Sequence, residues 1–393
     1  MNTIIPSSRQ ASTTKPVDGA HRFQELDAMR GVAACIVVVH HFVLLWIVQV
    51  GTNFGIWSTL GYPLIAGHES VVLFFLLSGF VLSLPYLRHK EQSYPIFLVR
   101  RILRIYGPYL FALGFAVAGA AVWHNSLDMG AWANNTWSRP VRSGLVVQHI
   151  LFIGDYDSGQ FNTAFWSLII EMRVSLIFPV LFWLVNRLRT QSALLLAAGC
   201  SLVVQFVANS GRGLRHEVNT LESVTVFICG ILMAKNLEGL SKWFLALSVG
   251  RRLALFATAF MLYNFSHLAK YCDRYGMWRI SSWHVGDWPV VAGAAVYVLV
   301  GLKSKIARRI LNTAIPRFLG RISYSLYLVH GTVLFGLTHL LHYRVSAAEF
   351  FPIYILGSLL VAVGFYRVVE EPLLHLARRV GARPRMPVVP VAG

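Results

Sequence analysis

The stretch ELDAMRGVAACIVVVHHFVLLWIVQV, residues 25–50, decides the class of fold. From Gly31 to Val50 it runs for twenty residues without an aspartate, glutamate, lysine or arginine. Twenty residues of α-helix are about 30 Å long, which matches the hydrocarbon core of a bilayer. The stretch therefore predicts a membrane-spanning helix.

The rest of the chain has the same character. Of its 393 residues, 56% are hydrophobic and only 13% are charged, against about 25% charged in ordinary soluble domains. This composition excludes a soluble enzyme and predicts an all-α, polytopic integral membrane protein with about ten transmembrane helices. The predicted spans are 31–50, 70–87, 105–123, 164–186, 192–208, 219–235, 251–267, 287–302, 322–342 and 351–369.

The distribution of positive charge predicts the orientation. The net charge is +18, and the lysines and arginines form clusters between the apolar segments. If the N-terminus is cytoplasmic, 26 of them lie on the cytoplasmic side and 8 on the other, as the positive-inside rule requires. We therefore expect both termini in the cytoplasm. We also expect the protein to lie in a bacterial inner membrane and to have no nucleic-acid partner.

The domain organisation is simple. Residues 1–24 are polar and predict a disordered tail, residues 25–379 form the transmembrane domain, and residues 380–393 form a second cytoplasmic tail. The four cysteines have neither metal-ligand spacing nor a disulfide pattern, so no metal is expected.

Ionisable side chains inside a span are costly and indicate function. Arg30 and His41 are eleven residues apart, so both point to one face of the first helix, with His41 about 16 Å further along it. Asp27 lies three residues before Arg30 and is placed to pair with it. A neutral imidazole satisfied by a neighbouring helix is the alternative interpretation of His41.

Two more polar groups follow in the chain. Arg101 and Arg104 are three residues apart in RRILRIY, on one helix face, where two guanidinium groups can bind phosphates, although positive-inside anchoring also explains them. Glu171, in FWSLIIEMRVSLIFP, is five residues after Trp166, so we expect it about 8 Å beneath the outer surface.

The segment GRISYSLYLVHG, residues 320–331, adds a second buried imidazole. Ser323, Tyr327 and His330 share one helical face by their spacings of four and three. On sequence alone His330 competes with His41 for the same role.

In order and spacing, these motifs resemble the membrane-bound acyltransferase 3 family, whose members O-acetylate surface polysaccharides, lipopolysaccharide, nodulation factors and some macrolides. The matching segments are ELDAMRGVAACIVVVHHF, FFLLSGFVLS, RRILRIY, FWSLIIEMRVSLIFP, GRISYSLYLVH and VVEEPLLHLARR. The family's Arg-x10-His motif falls on Arg30 and His41, its Arg-x-x-Arg motif on Arg101 and Arg104, and the glutamate of its Trp-Ser-Leu-x-x-Glu motif on Glu171. Two positions depart from the family pattern, Ala28 in place of glycine and Met172 in place of a second acidic residue.

The resemblance implies the reaction and its participants. It implies an acyl-CoA, most often acetyl-CoA, as a co-substrate on the cytoplasmic side, and a hydroxyl acceptor on a glycan or lipid-linked sugar on the other side. By that resemblance, Arg30, Arg101 and Arg104 bind the donor and His41 and Glu171 are catalytic. Asp27, Tyr327 and His330 would support them. Our mechanistic hypothesis is that neutral His41 acts as general base on the acceptor hydroxyl, with an acetyl-histidine intermediate as the variant.

Three alternatives stay open on the sequence alone. In the first, the acceptor is a small-molecule sugar or macrolide. In the second, the chain is a secondary transporter, although no repeated halves with broken helices are visible. In the third, the chain is a non-catalytic assembly partner of glycan synthesis. Acyl chain length and oligomeric state are not readable from the residues.

Overall fold

The computed structural model describes residues 23–47, 61–90, 92–123, 133–152, 156–209, 215–274, 286–341 and 344–381. Within these ranges the secondary structure is helical, without a β-strand. The α-helices are α1 Gln24–Phe42, α2 Gly67–Leu87, α3 Tyr94–Arg101, α4 Gly107–Trp123, α5 Ser143–Leu151, α6 Phe165–Arg187, α7 Thr190–Asn209, α8 Arg215–Lys235, α9 Leu237–Ala246, α10 Val249–Tyr263, α11 Phe265–Arg274, α12 Trp288–Lys303, α13 Lys305–Leu311, α14 Ala314–Leu341, α15 Ala347–Phe365 and α16 Glu371–Arg379.

Seven helical stretches of the described chain are long and apolar enough to cross a bilayer. Two sharply bent helix pairs, α8 with α9 and α12 with α13, raise the number to nine if each pair is one span. The chain is therefore an all-helical, multi-pass membrane protein. The count of about ten and the cytoplasmic side of the termini stay predictions, and the predicted tails lie almost entirely outside the described residues.

The predicted span 251–267 has no single helix of spanning length. It is divided between α10, which has 15 residues, and α11. The two ends of this region nevertheless lie at opposite ends of α2. Leu245, just before α10, lines one cavity together with Leu87 at the end of α2. His267 in α11 stacks on Tyr62, which precedes the start of α2, with ring centroids 4.0 Å apart. A tenth crossing through this region stays a prediction.

Glycines allow the central helices to approach one another closely. A Cβ on Gly79 of α2 would overlap the backbone of Phe227 in α8, and a Cβ on Gly230 of α8 would overlap the backbone of Leu76 and Phe80. Lipid tails are as apolar as the helix surfaces, so close packing of small residues is a main source of helix association in membranes. Helix α1 packs against α2, α12 and α14 in the interior of this bundle.

Three segments of π-helix interrupt the longer helices in the part of the chain that the structure describes. They are Val43–Ile47 after α1, Ile102–Tyr106 between α3 and α4, and Tyr366–Glu370 between α15 and α16. Short π-helical segments are frequent at functional sites. One of them begins two residues after His41, and another contains Arg104.

Candidate active site

The two buried histidines are in direct contact. Nδ1 of His41 is 2.8 Å from Nε2 of His330, and the planes of the two rings are within 14° of each other. His41 is 9% exposed and His330 is fully buried. The sequence left the two residues as competitors for one role, but the structure brings them together as a pair.

Two glycines explain how the histidines meet. Gly31 of α1 and Gly320 of α14 lie against each other, and a Cβ on either residue would overlap the backbone of the other helix. His41 and His330 each follow the contacting glycine by ten residues, so the two helices run parallel and both imidazoles lie about 15 Å beyond the crossing point. The glycine contact thereby sets the register of the histidine pair.

The helix that carries His330 is fixed by polar contacts with the start of α6. Asn162 Nδ2 donates to the carbonyl oxygen of Leu328 at 3.1 Å and contacts Oγ1 of Thr332 at 3.3 Å. Ser167 Oγ and the hydroxyl of Tyr327 are 2.7 Å apart. These side chains are buried, and satisfied polar networks of this kind hold a buried site in one geometry.

The same contacts place Glu171 along the bundle. Asn162 lies beside residues 328–332, and Ser167 lies beside Tyr327, three residues before His330. Glu171 follows Ser167 by one helical turn, in the direction away from Asn162. It therefore lies on the side of the histidine pair that faces the Gly31–Gly320 contact, and its depth of about 8 Å beneath the outer surface stays a prediction.

Glu171 belongs to a group that includes the predicted arginines. It accepts a hydrogen bond from Ser78 Oγ at 2.9 Å. Its charge is within electrostatic range of Arg101, which is also within range of Arg30 and Arg104. The structure therefore brings together the four ionisable residues that the sequence analysis drew from three separate motifs.

The two arginines of RRILRIY are in different environments. Arg101 ends α3 and is 8% exposed, with its guanidinium 5.9 Å from the ring centroid of Phe97. Arg104 lies in the π-helical segment and is exposed. The two residues therefore present one buried and one exposed guanidinium.

Arg30 and Asp27 form the predicted ion pair at 4.0 Å. The two side chains are 16% and 23% exposed, so the pair lies near the end of α1 rather than deep in the bundle. It holds Arg30 close to the other two arginines, on the same face of α1 as His41 but eleven residues before it.

One carboxylate of this region was not recognised from the sequence as part of the site. Glu370 ends a π-helical segment, is buried, and accepts hydrogen bonds from the backbone N–H and hydroxyl of Ser325. Its charge is within range of Arg104. In the sequence Glu370 is only part of the segment VVEEPLLHLARR, and its contact with Ser325 joins residues 45 positions apart.

Comparison with known proteins agrees with this arrangement. The family model described as an acyltransferase domain, Acyl_transf_3, matches residues 23–367 of the chain. The chain belongs to the acyltransferase 3 family. The match covers the paired histidines, the three arginines and Glu171, so this family member is an enzyme that transfers acyl groups from a donor to an acceptor.

Two relatives are similar over most of their length. The acyltransferase MdmB of Streptomyces mycarofaciens is 27% identical over 359 residues, which cover 84% of this chain and 85% of the relative. The O-acetyltransferase PaAT-1 of Phomopsis amygdali is 24% identical over an alignment 411 residues long. That alignment covers 88% of this chain and 79% of the relative. No solved structure matches the chain.

Proposed function

We propose that this acyltransferase moves an acetyl group from cytoplasmic acetyl-CoA to a hydroxyl group of a glycan or lipid-linked sugar on the other side of the membrane. The observation that carries the proposal is the separation of the arginines from the histidine pair along the axis of α1. Three arginines are grouped near one end of α1, and a buried histidine pair lies eleven residues further along the same helix. Phosphate-binding groups and a proton acceptor are thereby separated along the direction in which a CoA thioester would enter.

The arginine group suits the donor. CoA carries several phosphates, and guanidinium groups bind phosphate through paired, charge-assisted hydrogen bonds. Arg104 is exposed and accessible to a ligand from the cytoplasmic side, and Arg101 lies behind it in the bundle. The long pantetheine arm then extends toward the middle of the membrane, where His41 is located.

The histidine pair suits the acceptor step. His41 is buried in a low-dielectric interior, which favours a neutral imidazole, the form that a general base requires. His41 takes the proton from the acceptor hydroxyl as its oxygen attacks the thioester carbonyl. Glu171, beside the arginines, orients the donor end of the site. The name of the relative from Phomopsis amygdali supports acetyl transfer to oxygen.

The test is free-thiol release from acetyl-CoA by purified protein in lipid vesicles, with a crude membrane glycan extract as acceptor. We expect the wild type to release CoA and to label the glycan in equal amounts, and His41→Ala to do neither. His40→Gln is the matched control, because His40 contacts the carbonyl oxygen of Ile65 on another side of α1. Acetyl-CoA binding without any release would overturn the assignment of acceptor, and absence of binding would overturn the assignment of donor.

A further inference from the structure

The histidine pair is part of a longer hydrogen-bonded chain. Nδ1 of His330 is 3.1 Å from the carbonyl oxygen of Leu326, one turn earlier in α14. Nε2 of the same ring is 2.8 Å from Nδ1 of His41. Each nitrogen of His330 therefore has a defined partner.

These hydrogen bonds determine which ring nitrogens carry protons. A carbonyl oxygen can only accept, so Nδ1 of His330 must carry a proton and donate it to Leu326. In a neutral ring Nε2 of His330 is then the acceptor, so Nδ1 of His41 must carry the proton between the two rings. The lone pair of neutral His41 is consequently on Nε2, because the hydrogen bond made by one ring nitrogen determines the state of the other.

We propose that His330 is a positioning residue that holds His41 in the tautomer with its proton on Nδ1, and that Nε2 of His41 is the atom that takes the acceptor's proton. This inference rests on the proposed function and deepens it. His330 takes the place that a carboxylate has in a Ser-His-Asp triad, where the third group fixes the imidazole tautomer and stabilises the imidazolium.

The proton that His41 takes from the acceptor is returned to the leaving group, so no other proton donor is needed. Nε2 of His41 takes the hydroxyl proton while the acceptor oxygen forms a bond to the thioester carbonyl carbon. The tetrahedral intermediate collapses with cleavage of the carbon–sulfur bond, and the CoA thiolate takes the proton back from Nε2. During the step Nδ1–H of His41 continues to donate to His330, which disperses the positive charge in the buried site.

The surroundings of His330 support a fixed position. Asn162 contacts α14 on both sides of His330, at Leu328 and Thr332, and a Cβ on Gly331 would overlap the Asn162 side chain. Such clamping is useful for a residue whose role is orientation. A residue that bound substrate directly would instead need an open side.

The first test is ring ¹⁵N NMR of histidine-labelled protein in lipid, with the His41 signals assigned by comparison with His41→Gln. We expect protonated Nδ1 and unprotonated Nε2 on His41 in the wild type. In His330→Phe, which keeps an aromatic ring but removes the acceptor, the His41 proton should move substantially to Nε2. His339→Phe is the control, because His339 on the same helix makes the same contact to the carbonyl four residues earlier, at 2.8 Å.

The second test is kinetic. We expect His330→Phe to lower kcat by about 10²-fold or more with an unchanged KM for acetyl-CoA, because loss of general-base function costs about 10²- to 10⁴-fold. His330→Gln, whose amide oxygen still accepts from Nδ1–H of His41, should keep the tautomer and recover part of kcat. His339→Phe should have the kcat of the wild type.

Three results would overturn the proposal. They are a wild-type His41 with its proton on Nε2, an unchanged tautomer in His330→Phe, and a His330→Gln variant that keeps the tautomer but is no better than His330→Phe. If His330→Phe does not fold, the wild-type spectrum and the His330→Gln variant still decide the matter. The NMR readout needs no turnover, so a correct tautomer without acyl transfer would contradict the proposed function and not the geometry of the pair.

Discussion

His41 and His330 lie side by side because each is ten residues beyond the glycine at which its helix touches the other. The contact between Gly31 and Gly320 leaves no space for a Cβ, and the two helices run parallel from there. Ten residues correspond to about 15 Å on both helices, so the imidazoles reach the same height and come within 2.8 Å. Helix packing at the two glycines thereby sets the geometry of the histidine pair.

The first prediction concerns this crossing. Gly320→Ala places a methyl group against the backbone of Asp27 and Ala28, so α1 and α14 must move apart. Overpacking costs about 1–3 kcal/mol of stability, and a displacement of about 1 Å can cost about 10²-fold in rate. We expect a lower Tm and at least a tenfold loss of kcat, measured by thermal unfolding in detergent and by CoA release.

The matched control is Gly364→Ala in α15, where an added Cβ has open space around it. Alanine in a helix interior is favoured over glycine by about 0.5–1 kcal/mol, so this variant should keep its activity and its Tm. Equal activity of Gly320→Ala and Gly364→Ala would contradict the role of the crossing.

The second prediction concerns the buried guanidinium of Arg101. Arg101→Gln removes the charge that we assign to donor phosphates. Hydrogen bonds to charged groups contribute about 1.5–3 kcal/mol, so KM for acetyl-CoA should rise by about tenfold to a hundredfold. Arg101→Lys should not restore it, because an ammonium group lacks the planar fork of a guanidinium.

Arg100→Gln is the control for Arg101. Arg100 is the preceding residue, and its guanidinium donates to the carbonyl oxygen of Val380 at 2.7 Å. Isothermal titration with acetyl-CoA should show unchanged affinity for Arg100→Gln and weaker affinity for Arg101→Gln. The reverse order would show that the donor binds elsewhere.

The third prediction concerns the stability contribution of Glu370. Glu370→Ala leaves the N–H and hydroxyl of Ser325 without this acceptor inside the bundle, and a buried unsatisfied donor costs about 1–3 kcal/mol. We expect a clearly lower Tm than for Glu371→Ala, since Glu371 is only half-buried and its hydroxyl partner, Tyr366, is 3.5 Å away. Similar Tm values for the two variants would contradict the assignment.

The fourth prediction concerns the tenth crossing. Single cysteines at Gly250 and Lys270, in a variant without the four native cysteines, should react with a membrane-impermeant maleimide from opposite sides. Both positions are exposed. We expect Gly250→Cys to be labelled from the cytoplasmic face and Lys270→Cys from the other face. Labelling of both from one face would mean that this region does not cross the membrane.

The membrane class was predictable, and the candidate site residues could be proposed, because both depend on local pattern. Apolar runs of the required length predict spans, and the spacing of Arg30 and His41 on one helix follows from helix geometry alone. What the sequence did not reveal depends on contacts between distant segments. The pairing of His41 with His330 joins residues 289 positions apart.

One feature of that pairing is visible in the sequence. The equal spacing of ten residues in Gly31–His41 and Gly320–His330 is visible without a structure, although nothing in the sequence shows that the two glycines touch. The position of Glu171 beside the arginines is not visible in the sequence, because it depends on how α6 packs against α2 and α3.

The most direct test of the account is transfer of a labelled acetyl group across a sealed membrane. Vesicles containing the protein enclose the glycan extract, and [¹⁴C]acetyl-CoA is added only outside. With wild-type protein inserted cytoplasmic side out, we predict labelled glycan inside and an equal amount of free CoA outside, and neither with His41→Ala. Transfer by His41→Ala at the wild-type rate, or labelling only of glycan added to the outside, would contradict the account.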